Sequence, residues 1–288
     1  MSFVDPSPDI DAYWEYSDPA ASEARFRSAF SEAEGDERLE LLTQIARTYS
    51  LRSAFETAHQ ILDEVETQLK NAGSSPHIRY LLERGRTYNS SGDKSRAQDL
   101  FLEAWNLANS AHQEGLAVDA THMLAITFAG QPDAILWNQR GLEIAGRSQY
   151  AKAQALIPAM LNNTAWELHD QGRFTEALYY FEEAEKTWKA RGKTEQIQIA
   201  RWSVARCLRS LQSYEQALFI QHALESEHTS AGTADGFVFE EIAENLAALG
   251  QIQESQPYFK KAYDELSQDP WLRDHETSRL ASLLNRAA

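Results

Sequence analysis

The chain has 288 residues and a formal net charge of -16, from 43 acidic and 27 basic side chains. Such a field repels phosphate backbones and anionic lipid surfaces, which disfavours general nucleic-acid or membrane binding. A hydrophobic share of 43% with seven tryptophans excludes global disorder, and a single cysteine, Cys207, excludes an intramolecular disulfide and fits a reducing compartment.

Residues 1 to about 17 are rich in proline and aspartate, with Tyr13, Trp14 and Tyr16 as packing anchors. The start of the sequence has neither a basic region nor an apolar run, so no signal peptide is expected, and a cytoplasmic protein is the reading. Asp18-Pro19 then opens a helix, because aspartate caps the first amides and proline fits the first turn. Phe26, Ala29 and Phe30 give that helix an apolar face, which makes residues 1–36 an N-terminal extension and cap.

From residue 37 a two-helix pattern returns about every 40 residues. Pairs are predicted near Glu37–Leu51 and Ser53–Leu69, His77–Ser91 and Lys94–His112, and Gly115–Ala129 and Pro132–Arg147. Three more follow near Ala151–Gln171 and Phe174–Arg191, Thr194–Leu211 and Tyr214–Glu227, and Ala234–Leu249 and Ile252–Leu266. The clearest copy reads Leu161, Ala165, Leu168, Gly172, Ala177, Phe181, Ala184. A second reads Leu81, Gly85, Tyr88, Gly92, Ala97, Phe101, Ala104. Small residues sit where two helices cross closely, and large apolar ones where they interlock. Self-similarity of this length means stacked repeats rather than one globular core. Asp269-Pro270-Trp271 starts a last helix over 269–288, with Leu280, Leu283 and Leu284 expected to face inward. The fold class is therefore all-α, a right-handed α-solenoid of about six helix pairs over 37–268 with a capping helix at each end.

The residues Gly172, Ala177, Phe181 and Ala184 resemble the glycine, alanine, aromatic and alanine of a tetratricopeptide (TPR) repeat, and the second unit is similar. The fifth unit keeps Ala205, Leu208 and Ala217 but has Gln221 at the aromatic position. The spacing resembles the long-helix variants of kinesin light chains and bacterial peptide-pheromone receptors. The resemblance implies that the first helix of each pair lines a concave groove. Carried onto this sequence, that face holds Arg47, Arg86, Asn89, His122, Asn162, Asn163, Trp166, His169, Trp202, Arg206, Arg209, Glu240 and Glu244. Asparagine suits the backbone of an extended peptide, tryptophan gives an apolar wall with a polar N–H, and arginine holds carboxylates in two-pronged fashion. Two readings of these residues stay open, since Arg206 can equally pair with Glu240 or Glu244, and Trp166 can fill the gap between helices. The chaperone-tail clamp of some TPR proteins is matched at Asn163 but not at Ile199 and Ser203, where it needs Lys and Arg.

No phosphate-cradling glycine loop, nucleophile elbow or zinc-protease histidine pair is present in the sequence. His222, Glu225 and His228 share a helix face but read as a solvated helix end. The expectation is a non-enzymatic scaffold or adaptor, without cofactor or metal, that binds a protein or extended peptide segment, including one with an acidic group. A ligand- or peptide-sensing regulator whose superhelix changes shape on binding is the alternative.

Overall fold

The structure, a computed structural model, describes residues 10–288, so the first half of the proline- and aspartate-rich segment lies outside the described residues. A short 3-10 turn at Ile10–Tyr13 precedes α1 (Pro19–Phe30). Asp18 caps α1 as expected, accepting from the amides of Ala20 and Ala21. Then come α2 (Gly35–Leu51), α3 (Phe55–Gln68), α4 (Ser74–Ser90), α5 (Lys94–Ser110), α6 (Glu114–Thr127) and α7 (Pro132–Arg147). They are followed by α8 (Ala151–Ala155), α9 (Ile157–Asp170), α10 (Phe174–Arg191), α11 (Thr194–Ser210), α12 (Tyr214–Ser230), α13 (Gly236–Ala248) and α14 (Ile252–Leu266). The chain closes with α15 (Pro270–His275) and α16 (Thr277–Arg286). Among the described residues there is no strand. The architecture is that of TPR-like helix pairs in a solenoid arrangement. The first helices are α2, α4, α6, α9, α11 and α13, and the second helices are α3, α5, α7, α10, α12 and α14.

Two expected helices are broken. The span 151–171 is α8 and α9 rather than one helix, because Pro158 has no N–H to give Gln154 and its ring crowds that carbonyl. The C-terminal helix is likewise split at Glu276 into α15 and α16. Leu280 and Leu283 are buried, but Leu284 is 44% exposed, since it falls just off the inward stripe. The turns Gly172 and Gly250 adopt φ of +75° and +79°, a left-handed conformation that glycine takes without a Cβ clash.

The chain forms two compact units, Met1–Met160 and Leu161–Ala288. In unit 1, Phe101 fills the crossing of α4 and α5, and a Cβ added to Gly85 would lie 2.5 Å from its ring. That is why the small residue is needed there. Ile10, Phe26, Leu62, Ile78, Leu82 and Leu124 extend this core, while Val118, Ala145, Ala153 and Met160 make a separate cluster around α8. In unit 2, Ala177, Phe181 and Ala184 of α10 and Ser255, Phe259 and Ala262 of α14 occupy corresponding buried positions.

The second helices share one buried series, spaced i, i+4, i+7. It reads Ala97, Phe101, Ala104 in α5; Ala134, Asn138, Gly141 in α7; Ala177, Phe181, Ala184 in α10; and Ala217, Gln221, Leu224 in α12. Thus Asn138 and Gln221 hold amides where the repeat wants an aromatic ring. Both are buried, and neither side chain has a hydrogen-bond partner for its nitrogen or oxygen. An unpaired buried amide costs more than it returns, so Gln221→Leu should raise the free energy of unfolding by about 1–2 kcal/mol. Denaturant titration of the variant checks this, and a lowered midpoint would show that the amide is satisfied in solution.

Candidate functional site

A helix turns by 100° per residue, so positions i, i+4 and i+7 share a face. On α2 these are Glu40, Gln44 and Arg47, and on α4 they are Arg79, Glu83 and Arg86. The two stripes carry complementary chemistry and bond directly across the helices. Arg79 Nε donates to Glu40 at 2.7 Å, and Gln44 Nε2 donates to Glu83 Oε1 at 3.3 Å. Arg86 donates to Glu83 Oε1 at 2.7 Å and also pairs with Asp119 on α6. Burial alone would raise the Asp119 pKa, but the charges of Arg86 and Arg47 outweigh it and hold the carboxyl below its usual range.

These faces enclose a pocket of about 720 Å³ in unit 1, within the range of roughly 300–1,000 Å³ typical of ligand sites. Its walls are α2, α4 and α6, with Lys152 and Leu156 from the α8 region and Asp11 and Tyr16 from the N-terminal segment. Of the groove residues expected from the sequence, Arg47, Arg86, Asn89 and His122 all line it. The sequence reading missed Glu40, Arg79, Glu83, Asp119 and Tyr16. The 39-residue offset between Glu40 and Arg79 was a usable signal, because repeat-equivalent positions on neighbouring first helices face each other.

Glu83 is the hub of this site. It lies two residues before the small crossing residue Gly85 and is 2% exposed. Its Oε1 receives Gln44 and Arg86, while Arg47 Nη1 stands off at 3.5 Å. Arg47 Nε and Glu83 Oε2 are both buried without a hydrogen-bond partner. Arg47 and Glu83 thus form an ion pair without a hydrogen bond between them.

Unit 2 repeats the device in completed form. Glu241 lies two residues before the small residue Ala243 and is 3% exposed. Arg209 grips it with two bonds of 2.7 and 2.9 Å, and Arg206 Nε stands 3.1 Å from Oε1. Burial lowers the Arg206 pKa, whereas the Arg209 guanidinium ends above its ordinary value because its bonds to Glu241 outweigh burial. Arg206 thus pairs with neither Glu240 nor Glu244, which bond to Arg279 and Arg286 on α16. The inner turn of the helix, at Glu241, carries the partner the sequence reading placed one residue away.

The remaining expected residues of unit 2 are engaged locally. Trp166 packs edge-on against Phe181 at 4.9 Å and lies 6.2 Å from Trp202, whose Nε1 donates to the Phe237 carbonyl at 3.2 Å. His169 Nε2 lies 2.9 Å from Ser210 Oγ. Asn162 and Asn163 sit half-buried on α9. His222 contacts Glu225 at 3.1 Å, and among the described residues no group of three His, Cys, Asp or Glu side chains is placed to hold a metal. Cys207 is buried, which pushes its thiol up to about 11 and leaves it protonated at neutral pH.

No protein-family model matches the sequence, and no curated protein matches it. Solved structures do. A signal-transduction ATPase with a TPR sensor from Pyrococcus horikoshii is 13% identical with a TM-score of 0.73, over 92% of this chain and 42% of that one. The apo form of RapI is 12% identical with a TM-score of 0.73, over 91% of this chain and 74% of that one. NprR in complex with its cognate peptide NprX is 15% identical with a TM-score of 0.53, over 96% and 80%. The fold is that of a tetratricopeptide-repeat protein. The chain spans less than half the length of the archaeal ATPase, and among its described residues no helix is long and apolar enough to cross a membrane.

Two outcomes follow from this geometry. Replacing Glu241 by Gln removes the charge that holds two arginines, and should cost roughly 3 kcal/mol of stability, read by thermal or denaturant unfolding. An unchanged midpoint would mean that both arginines find water or other acids. The second concerns acid. Burial, with Arg206 nearby, holds the His169 pKa below 6.5. The unfolded chain then takes up this proton first, so the stability it contributes is full above the ordinary imidazole value and declines as pH falls through it. In His169→Gln the loss of stability between pH 7 and pH 5.5 should be shallower, and an identical slope would assign it to other groups.

Proposed function

We propose that this protein is a non-enzymatic peptide sensor that takes a short extended peptide, or a segment of a partner protein, into the unit-1 pocket. The observation that carries this reading is the loosely paired Arg47, which lines a ligand-sized pocket 3.5 Å from Glu83, beside the closely paired arginines at Glu241. A partly exposed guanidinium that is only loosely paired can take a carboxylate or a peptide carbonyl. The amides of Asn89 and Gln113 on the same walls suit a peptide backbone.

The sensing step uses the same group. With the pocket free, Arg47 leans toward Glu83 on the neighbouring helix; with an acidic ligand present, it turns to the ligand. The α2–α4 contact then loses one cation, and Arg86 is left to serve both Glu83 and Asp119. A ligand shifts a conformational equilibrium only by binding one arrangement better, and this exchange of partners supplies that difference. The likeness to NprR, solved with its cognate peptide NprX, favours a peptide over a metabolite.

The reading is tested by selecting peptides from a random display library on the purified protein. Selected peptides should bind Arg47→Gln at least tenfold more weakly, about 1.4 kcal/mol, while circular dichroism stays unchanged. Small-angle scattering should show a changed radius of gyration on saturation. Equal binding by the variant would place the site outside the unit-1 pocket. Binding with no change in radius would make the protein a rigid scaffold.

A further inference from the structure

The pocket has one wall that no repeat supplies. After Ile10 the N-terminal segment lines the pocket with Asp11 and Tyr16, and it is held to two of the other walls. Asp11 lies 3.6 Å from Lys152 beside α8, and Trp14 Nε1 donates to Gln44 on α2 at 3.1 Å. Ile10 is fully buried in the unit-1 core, and Tyr13 and Trp14 pack edge-on against Phe26 at 5.7 and 5.0 Å. Displacing the segment would expose all three apolar side chains to water. It is therefore a fixed wall rather than a plug.

Tyr16 is the exception to this burial. Its ring is stacked on Trp14, parallel within 1° at 4.9 Å, yet it lines the pocket and is 61% exposed. The Arg47 guanidinium lies 5.5 Å from the same ring and 5.2 Å from Trp14. An anchored aromatic platform thus stands beside the loosely paired arginine. The ring and the carboxylate of a single C-terminal aromatic residue span such a separation.

We propose that Tyr16 and Arg47 form an aromatic-carboxylate subsite in the unit-1 pocket, which selects peptides ending in an aromatic residue with a free C-terminal carboxylate. The ligand ring stacks on Tyr16, and its carboxylate pairs with the loosely held guanidinium of Arg47. This rests on the peptide reading above and narrows it to one chemistry.

The test uses three synthetic probes: Ala-Ala-Ala-Ala-Phe with a free carboxylate, the same peptide as its C-terminal amide, and pentaalanine with a free carboxylate. Binding is measured by calorimetry at low salt. The free Phe peptide should bind at least tenfold tighter than either of the others. Tyr16→Ala should erase its advantage over pentaalanine, Tyr16→Phe should keep it, and Arg47→Gln should erase its advantage over the amide. Since Tyr16 is exposed, its variants should keep wild-type helicity and melting temperature. If pentaalanine binds as well as the Phe peptide, or Tyr16→Ala leaves the preference intact, the subsite is wrong although the peptide pocket stands. If none of the three probes binds, the subsite and the unit-1 peptide reading fall together.

Discussion

A carboxylate buried two residues before the small crossing residue of a first helix is the constraint around which each unit is arranged. Glu83 and Glu241 occupy that place, next to Gly85 and Ala243. A charge there is costly to strip of water, and only arginines from the face of the neighbouring first helix or its own can offset the cost. The two residues face different neighbours: Gly85 admits Phe101 of α5, while Glu83 meets Arg47 of α2 and Arg86 of its own helix. The units differ in how fully the charge is met. Glu241 has three guanidinium contacts within 3.1 Å, whereas Arg47 stands 3.5 Å from Glu83 with its Nε unused. A closely paired cluster holds a structure together; a loosely paired arginine on a pocket wall can change partners.

This difference also explains why much of the fold was legible in the sequence while the site was only half so. Ala177, Phe181 and Ala184 announce an α-helical repeat because a 3.6-residue period and a small-large alternation leave few other solutions. The break at Pro158 was equally present in the sequence, but a proline near a helix start is compatible with either a kink or a continuous first turn. The face of each first helix could be read from spacing, and so Arg47, Arg86, Asn89 and His122 were found. Their partners were not. Choosing Glu241 over Glu240 or Glu244 requires the helix rotation to within one residue, and that is fixed by packing against α11 rather than by any local pattern. Tyr16 was visible only as a packing anchor, because its role depends on a segment folding back across α2 from outside the repeat.

Net charge acts on a different scale. The surplus of acids over bases discourages phosphate-rich partners, yet the unit-1 pocket is lined by Arg47, Arg79, Arg86 and Lys152 as well as by acids. An acidic peptide would meet a repulsive field at a distance and a cation at contact. Such an arrangement trades association rate for selectivity, since only ligands that reach Arg47 recover the cost of approach.

The most direct measurement is amide hydrogen exchange of the full chain with and without a selected peptide. The account predicts added protection in the last turns of α2 and α4 and in α6, around Arg47, Asn89 and His122, with α11 and α13 unchanged. Protection concentrated around Trp202, Arg206 and Glu241 instead would contradict it, because the closely paired cluster of unit 2 would then be the working site.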